Sequence, residues 1–333
     1  DDVNLQMTWA DLSPWHRNIE QMLATSWQLL TTAEAHLLAQ CTTMIDSFSL
    51  AAALQISGAT AVTLRTLVEK SLLRRHNLEA DYFTMHELVR HYARRQLQQM
   101  PALEAHTRAR HAAYYLTLLQ EQEMAIPNEL SAQQIIYAQL ENIRAAWAWS
   151  CEATDVALLE TAHEAFAWFY RVVASYTEAF TAFERAATAL AQPLVHTAYN
   201  DERRVHLQAK LLILAAEFGR KIGRVEESKQ HLQAAQAISQ QLGDATLLAL
   251  SYKELALVAQ AQGDYAHLEK FSRQGVELAE QTNNPQVRLF CWQTLALACA
   301  YNNHPTELYD IYFTIHQLLQ AAPNRYLEAI VAM

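Results

Sequence analysis

Along the second half of the chain, apolar residues recur at helical spacing in long stretches separated by short polar breaks. Three breaks stand in register: Lys221-Ile222-Gly223-Arg224, Ala261-Gln262-Gly263-Asp264 and Asn302-Asn303-His304-Pro305. Gly223, Gly263 and Asn303 are 40 residues apart. A fixed period of this size predicts stacked helical hairpins. Seven residues before each break lies Ala216, Ala256 or Ala296, small enough for paired helices to approach closely. Twelve residues after the breaks come Ala235, Gly275 and Ile315, small in two of the three units. A degenerate earlier unit is read at Ser175, with Trp168 and Ala187 at the matching positions. It precedes Gly223 by 48 residues, and the extra length is assigned to a loop over 192–201 containing Pro193.

The first hundred residues read differently. Ile19, Leu23, Trp27 and Leu30 mark one face of a helix over 16–30. Thr32 is expected to cap a helix over 33–44, Ser49 a short helix over 50–56 ended by Gly58, and Thr60 a helix running to Lys70. Two short runs, 72–75 and 82–85, flank a polar turn and predict a hairpin, followed by a helix over 87–100. Helices followed by a two-stranded hairpin make a winged helix. From 102 to 191 the chain reads as all helix, with breaks near 126–128, 153–155 and 174–175. The predicted fold is therefore all-α with one small β-hairpin. It comprises a winged-helix domain over 1–100, a helical connector with a degenerate repeat over 101–200, and an α-superhelix over 201–333. Pro323 is read as opening a further helix that Met333 interrupts, so the sequence reads as a piece of a longer polypeptide.

Composition narrows the function. Hydrophobic residues make up 51% of the 333, ample for a continuous core, and only 6 Gly and 7 Pro suit long helices. A net charge of −10 argues against a broad nucleic-acid footprint. No apolar run approaches about 18 residues, the length of a membrane span. The opening Asp1-Asp2-Val3-Asn4 is not a signal peptide, and the expected location is cytoplasmic. Cys41, Cys151, Cys291 and Cys299 are scattered through apolar stretches and read as buried free thiols. The 14 His form no metal-ligand pattern, and neither a Gly-x-Ser-x-Gly elbow nor a phosphate-binding Gly-rich loop occurs, so no catalytic residue, metal or cofactor is expected in this chain. Trp147, Trp149, Phe166, Trp168, Phe169 and Tyr170 read as core packing ahead of the regular repeats.

The hairpin period resembles the tetratricopeptide repeat, whose usual unit of about 34 residues is shorter than this one. The first domain carries a second resemblance. Thr25-Ser26-Trp27-Gln28-Leu29-Leu30, Phe48-Ser49-Leu50-Ala51-Ala52-Ala53, Leu67-Val68-Glu69-Lys70-Ser71-Leu72-Leu73 and Met85-His86-Glu87-Leu88-Val89-Arg90-His91-Tyr92-Ala93 follow in order and spacing. They resemble the winged-helix segment of signal-transduction ATPases with an NB-ARC-type motor (STAND ATPases), including bacterial LuxR- and SARP-type transcription regulators. Arg110-His111-Ala112-Ala113-Tyr114-Tyr115-Leu116 and Leu140-Glu141-Asn142-Ile143-Arg144-Ala145-Ala146-Trp147 extend it toward the bacterial members. The resemblance implies that His86, in a Met-His-Asp-type motif with Glu87 in place of Asp, contacts the phosphate of ADP held by an NTPase domain absent from this chain. It also implies ADP/ATP as cofactor of the parent, that NTPase domain as a partner, and a sensor role for the repeats.

In tetratricopeptide hairpins the first helix lines the groove. Registering on the breaks places Lys210, Glu217 and Arg220, then Lys253 and Gln260, then Phe290, Gln293 and Tyr301 there. Their mixture of cations, amides and aromatics suits a protein, peptide or small-molecule ligand. Two other readings stay open. One is a scaffold without a switch. The other is a DNA-binding regulator using Arg65, Lys70, Arg74 and Arg75; Arg90, His91, Arg94 and Arg95 form a separate basic helix face, read as solvated or as meeting an acidic motor surface.

Overall fold

A computed structural model describes residues 14–75, 82–191 and 198–321. It is an all-α fold with one small sheet. The chain divides into two compact units, 1–115 and 116–333, with the division inside α6 (Pro101–Glu121).

The first unit is organised by its caps. Thr31, rather than Thr32, caps α2 (Thr32–Gln40), because its hydroxyl accepts the Glu34 N–H. The Glu34 carboxylate in turn accepts from the Thr31 N–H at 2.7 Å, closing a reciprocal capping box. The helix expected to reach 44 stops at Gln40, and a 3-10 turn, Cys41–Thr43, takes over. Thr42 and Thr43 donate back to the Ala39 and Gln40 carbonyls, local bonds that compete with helix continuation. The first helix, α1 (Pro14–Gln28), also ends two residues short of its expected end, and Trp27 packs 5.6 Å from the Tyr92 ring. Ser49 and Thr60 cap α3 (Leu50–Ser57) and α4 (Ala61–Glu69) as expected, and α3 ends on Gly58 at φ 69°.

The hairpin strands are β2 (Arg74–Arg75) and β3 (Tyr82–Thr84), and their connection lies outside the described residues. A third strand, β1 (Phe48–Ser49), was not anticipated. It pairs antiparallel with β3, sets Phe48 opposite Phe83, and gives the sheet order β1-β3-β2. Two residues are too few to show a period, so this strand is defined only by its tertiary partner. The elements run in the order α2, β1, α3, α4, β2 and β3, and α5 (Glu87–Gln98) packs on α2. Leu38, Phe48, Ile56, Leu64, Leu67 and Leu73 form the buried centre.

The second unit stacks α7 (Leu130–Ala138), α8 (Leu140–Glu152), α9 (Val156–Val173), α10 (Tyr176–Leu190), α11 (Ala198–Lys221), α12 (Val225–Leu242), α13 (Ala245–Ala261), α14 (Tyr265–Glu280), α15 (Pro285–Tyr301) and α16 (Pro305–Ala321). The break between α7 and α8 at Gln139 is additional to those expected. Helix α11 begins at Ala198, inside the span expected to be a loop, and 192–197 lie outside the described residues. The helix expected after Pro323 also falls outside them.

Each turn closes the same way. Gly223, Gly263 and Asn303 are left-handed, at φ 82°, 75° and 57°. The next N–H reaches back to the carbonyl five residues earlier, as Arg224 to Gly219 at 2.8 Å, Asp264 to Ala259 at 2.9 Å and His304 to Cys299 at 2.9 Å. This is the Schellman closure, and it favours a residue without a Cβ at the left-handed site. In the degenerate unit the left-handed residue is Ala174, at φ 55°, not Ser175. The correction moves the register by one. Seven residues before and twelve after Ala174 lie Ala167 and Ala186, both fully buried, instead of Trp168 and Ala187. Small residues therefore hold both positions in this unit too.

The odd helices α9, α11 and α13 each touch the next odd helix, up to α15, while α10, α12 and α14 each bridge two of them. Aromatics anchor the start of the array. The Trp147 indole donates to the Ala182 carbonyl at 3.0 Å; Trp147 with Phe183 and Tyr170 with Phe218 pack edge to face, Phe166 lies tilted against Trp147 and Tyr170, and Phe183 stacks on Phe218. Trp149 is half-buried.

Candidate functional site: an inner helix row and an exposed histidine

The odd helices form a curved row. Trp168 on α9 and Phe290 on α15 are three odd helices apart, yet their rings lie 6.4 Å from each other. Their shared side is therefore the inside of the curve. Four of the expected groove residues meet there: Glu217, Arg220, Lys253 and Phe290. They do so in a network of their own making. The Arg171 guanidinium donates to both Glu217 oxygens, at 2.9 and 2.7 Å, and Lys221 stands 3.6 Å from the same carboxylate. Arg220 donates to Glu254 at 3.4 Å, and Lys253 pairs with Glu254 as well. Arg171 lies over the Trp168 ring at 4.8 Å and Lys253 over Phe290 at 5.1 Å.

The carboxylates here are buried. Glu217 is 6% exposed and Glu254 is 1% exposed. Burial pushes the Glu217 pKa up, but the Arg171 charge and hydrogen bonds and the nearby Lys253 and Lys221 outweigh it, holding the group well below the usual carboxylate range. Burial lowers the pKa of Lys221, against the opposing pull of Glu217. On one flank stands Glu164, its side chain 47% exposed, where partial burial raises the pKa and the adjacent His163 with the charges of Arg171 and Lys210 brings it to about 2. Lys210 thus acts on the network through space.

Gln260 and Tyr301 form a separate pair. The Gln260 amide donates to the Tyr301 hydroxyl at 3.2 Å, and Tyr301 stacks on Tyr265 at 4.6 Å. Gln293 is half-buried on α15. The residues missed from the sequence are Trp168, Arg171, Lys221 and Glu254. The corrected register would have found Arg171. It lies three residues before Ala174, as Arg220 and Gln260 lie three before Gly223 and Gly263. Each of the three reaches forward to the next odd helix, at Glu217, Glu254 and Tyr301. One repeat position therefore ties the inner row together.

In the first unit, His86 is the N-cap of α5 and its side chain is exposed. Its Nδ1 accepts the Leu88 N–H at 3.3 Å, so in the neutral ring the proton sits on Nε2. Met85 beside it is buried, and Glu87 stands 4.0 Å from Arg90. Two of the cations in these candidate sets have partners within the unit. Lys70 donates to both Glu34 oxygens, at 2.8 and 2.9 Å. Arg90 donates to the Met44 and Asp46 carbonyls. Arg65, Arg74, Arg75, His91 and Arg94 remain exposed.

All four cysteines are buried and unpaired. Burial pushes Cys41, Cys151 and Cys291 up to about 12 and Cys299 to about 11, so none is a ready nucleophile. Among the described residues, one group, Cys299, His304 and Glu307, has metal-ligand types close together. Arg273 already donates to Glu307 and Glu269, so those carboxylates hold a cation. No single described helix is long and apolar enough to cross a membrane.

No family model and no curated relative matches the chain. Two solved structures are similar. One is a STAND protein with a tetratricopeptide repeat sensor from Pyrococcus horikoshii, at 15% identity and a TM-score of 0.49, covering 94% of this chain and 48% of that one. This chain thus spans about half the length of that protein. The other holds the nearly identical TPR-like repeats of a kinesin light chain from Podospora anserina, at 19% identity and a TM-score of 0.40, covering 62% of this chain and 96% of that one. At this distance neither transfers residue roles.

Proposed function

We propose that this chain is the non-catalytic sensor and coupling region of a bacterial signal-transduction ATPase. The repeat array captures a protein or peptide ligand, and the winged helix relays that event to ADP/ATP switching and oligomerisation of an NTPase domain elsewhere in the parent. The observation that carries the reading is His86. Its backbone bond orients the ring and leaves Nε2–H facing solvent at the start of α5, where the positive end of the helix dipole adds attraction for an anion. That arrangement suits donation to the terminal phosphate of a bound diphosphate. It also lies within the Met85-His86-Glu87 motif that carried the resemblance. An activating ligand must bind the released form more tightly than the resting one.

His86→Ala in a parent chain that contains the NTPase domain tests this. The expected result is faster ADP release and raised basal activity. Unchanged ADP retention and activity would reject the switch and leave the scaffold reading.

A further inference from the structure

We propose that Cys299, His304 and Glu307, gathered at the turn between α15 and α16, form a binding site for a divalent transition-metal ion of the zinc type. Their ligand atoms all lie within 4.8 Å of one another. The site is independent of the sensor reading and of the inner row.

The turn itself brings the three together. Asn303 is left-handed, and the His304 N–H closes back on the Cys299 carbonyl at 2.9 Å, so the two residues stand side by side. Glu307 follows in the first turn of α16. The equivalent positions at the other two breaks hold Gly219, Arg224 and Glu227, and Ala259, Asp264 and His267. Sulfur, nitrogen and oxygen donors therefore coincide at this break alone of the three. Cys299 is fully buried, while the side chains of His304 and Glu307 are 44% and 38% exposed. An ion enters from the His304–Glu307 side and meets the sulfur last. Zinc-type ions bind such donors at about 2.0–2.3 Å, which puts two ligands of one tetrahedral ion roughly 3.3–3.5 Å apart. Rotation of the His304 and Glu307 side chains, moving each donor by about an ångström, reaches that spacing.

The Cys299 thiol hydrogen-bonds to the Glu307 carboxylate. The ion takes the place of that proton. The S–H bond breaks, the proton leaves to water, and the sulfur and the carboxylate, which repel each other as a bare pair, share the cation. Arg273 supports this arrangement. It donates one N–H to each Glu307 oxygen, at 2.7 and 2.9 Å, and also to Glu269. A carboxylate oxygen carries a second lone pair, so Glu307 keeps a direction for the metal, and ligating carboxylates are oriented by such second partners. Glu269 stands 3.8 Å from His304 Nδ1 and is itself held by Asn302 at 2.6 Å, a carboxylate neighbour of the kind that accompanies metal-bound histidines. The mixed donor set favours zinc-type ions over Ca²⁺ and Mg²⁺, which take oxygen ligands. Three protein ligands leave a fourth position to water. Once bound, the ion ties the end of α15 to the first turn of α16.

Cobalt(II) tests the site, because a thiolate ligand gives it a near-ultraviolet absorption band. The reduced, chelator-treated 333-residue chain is titrated with the metal. A single ion is expected to bind with that band, and excess Zn²⁺ should displace it. Cys299→Ser should lose the band. His304→Ala and Glu307→Gln should need at least about tenfold more cobalt for half-saturation. His304 is exposed, so its variant carries the test should circular dichroism show that Cys299→Ser folds poorly. Cys291→Ser, buried on the same helix with its sulfur 3.8 Å from the Ala249 carbonyl, is the control and should keep the band. The site is overturned if no thiolate band develops, if Cys299→Ser retains it, or if His304→Ala and Glu307→Gln bind as wild type. A band lost from folded Cys291→Ser assigns the metal to another sulfur and also overturns it.

Discussion

Glu34 in the first unit and Glu217 in the second are both buried carboxylates held by cations, and the difference between them separates the two halves of the molecule. Glu34 meets one lysine and the open end of one helix, and its partners match its needs. Lys70 supplies the charge, Thr31 supplies an N–H and a hydroxyl, and the lysine side chain keeps 35% of its surface in water. Glu217 meets Arg171 and Lys221 on the inner row, with Lys253 acting from the next odd helix, and little of any of them reaches water. The first arrangement is a closed local device that fixes the start of α2. The second links successive repeats.

Removing the carboxylates is the strongest way to break the comparison. Glu217→Ala strands two buried cations, for which a loss of about 3–5 kcal/mol is expected. Chemical denaturation of the whole chain measures it. A loss below about 1 kcal/mol would show that the inner ladder contributes little to stacking, since exposed ion pairs contribute only that much.

Glu34→Ala should cost less, about 1–2 kcal/mol, because it removes a capping box but frees Lys70 toward solvent. The same interaction predicts a pH dependence. Its hydrogen bond from Lys70 comes first among the causes, followed by those from Thr31, and together they bring the Glu34 pKa from 4.5 to about 2. With the folded pKa below the unfolded one, this stabilisation is fully present above about pH 4.5 and fades as pH falls toward 2. Acid titration comparing wild type with Glu34→Gln reads it, and identical curves would remove Glu34 from the account.

Much of the fold was legible because its signals are local. Ser49, Thr60 and Gly58 declare their helix ends through their own side chains or φ, and the 40-residue period sets the hairpins. Where tertiary contact decides, the sequence was silent. The strand at Phe48 exists only through Phe83, and α2 stops where threonine hydroxyls capture carbonyls. The slip from Ala174 to Ser175 has a particular cause. Alanine seldom adopts φ 55°, so nothing in the local sequence marks it as the counterpart of Gly223. That single residue hid Arg171, and with it the forward-reaching position that joins the odd helices. Of the residues expected from register to line a groove, Glu217, Arg220, Lys253 and Phe290 stand together on the inner row. Their mutual pairing could not be read, because it depends on how tightly the row curves.

The smallest expected effect separates spacing from necessity at the small positions. Gly275 is the one glycine among them, and a Cβ there would meet the Ala249 carbonyl, the Lys253 N and Cys291 Sγ at 3.5–3.6 Å, ordinary contact distances. The helices therefore already stand far enough apart for alanine, the residue that Ala186 and Ala235 supply at the same place in their units. Since glycine inside a helix costs backbone entropy, Gly275→Ala should raise stability by about 0.5–1 kcal/mol. Gly219 is different. A Cβ there would lie 2.7 Å from Ser228 Oγ and 3.1 Å from the Phe180 ring, so the same change should lower stability. Opposite signs in paired denaturation curves would locate the tight approach between α11, α12 and α10. A loss at Gly275 would mean that α13 and α15 close more tightly than these distances allow, and that the recurring small residue sets the spacing of the row in every unit.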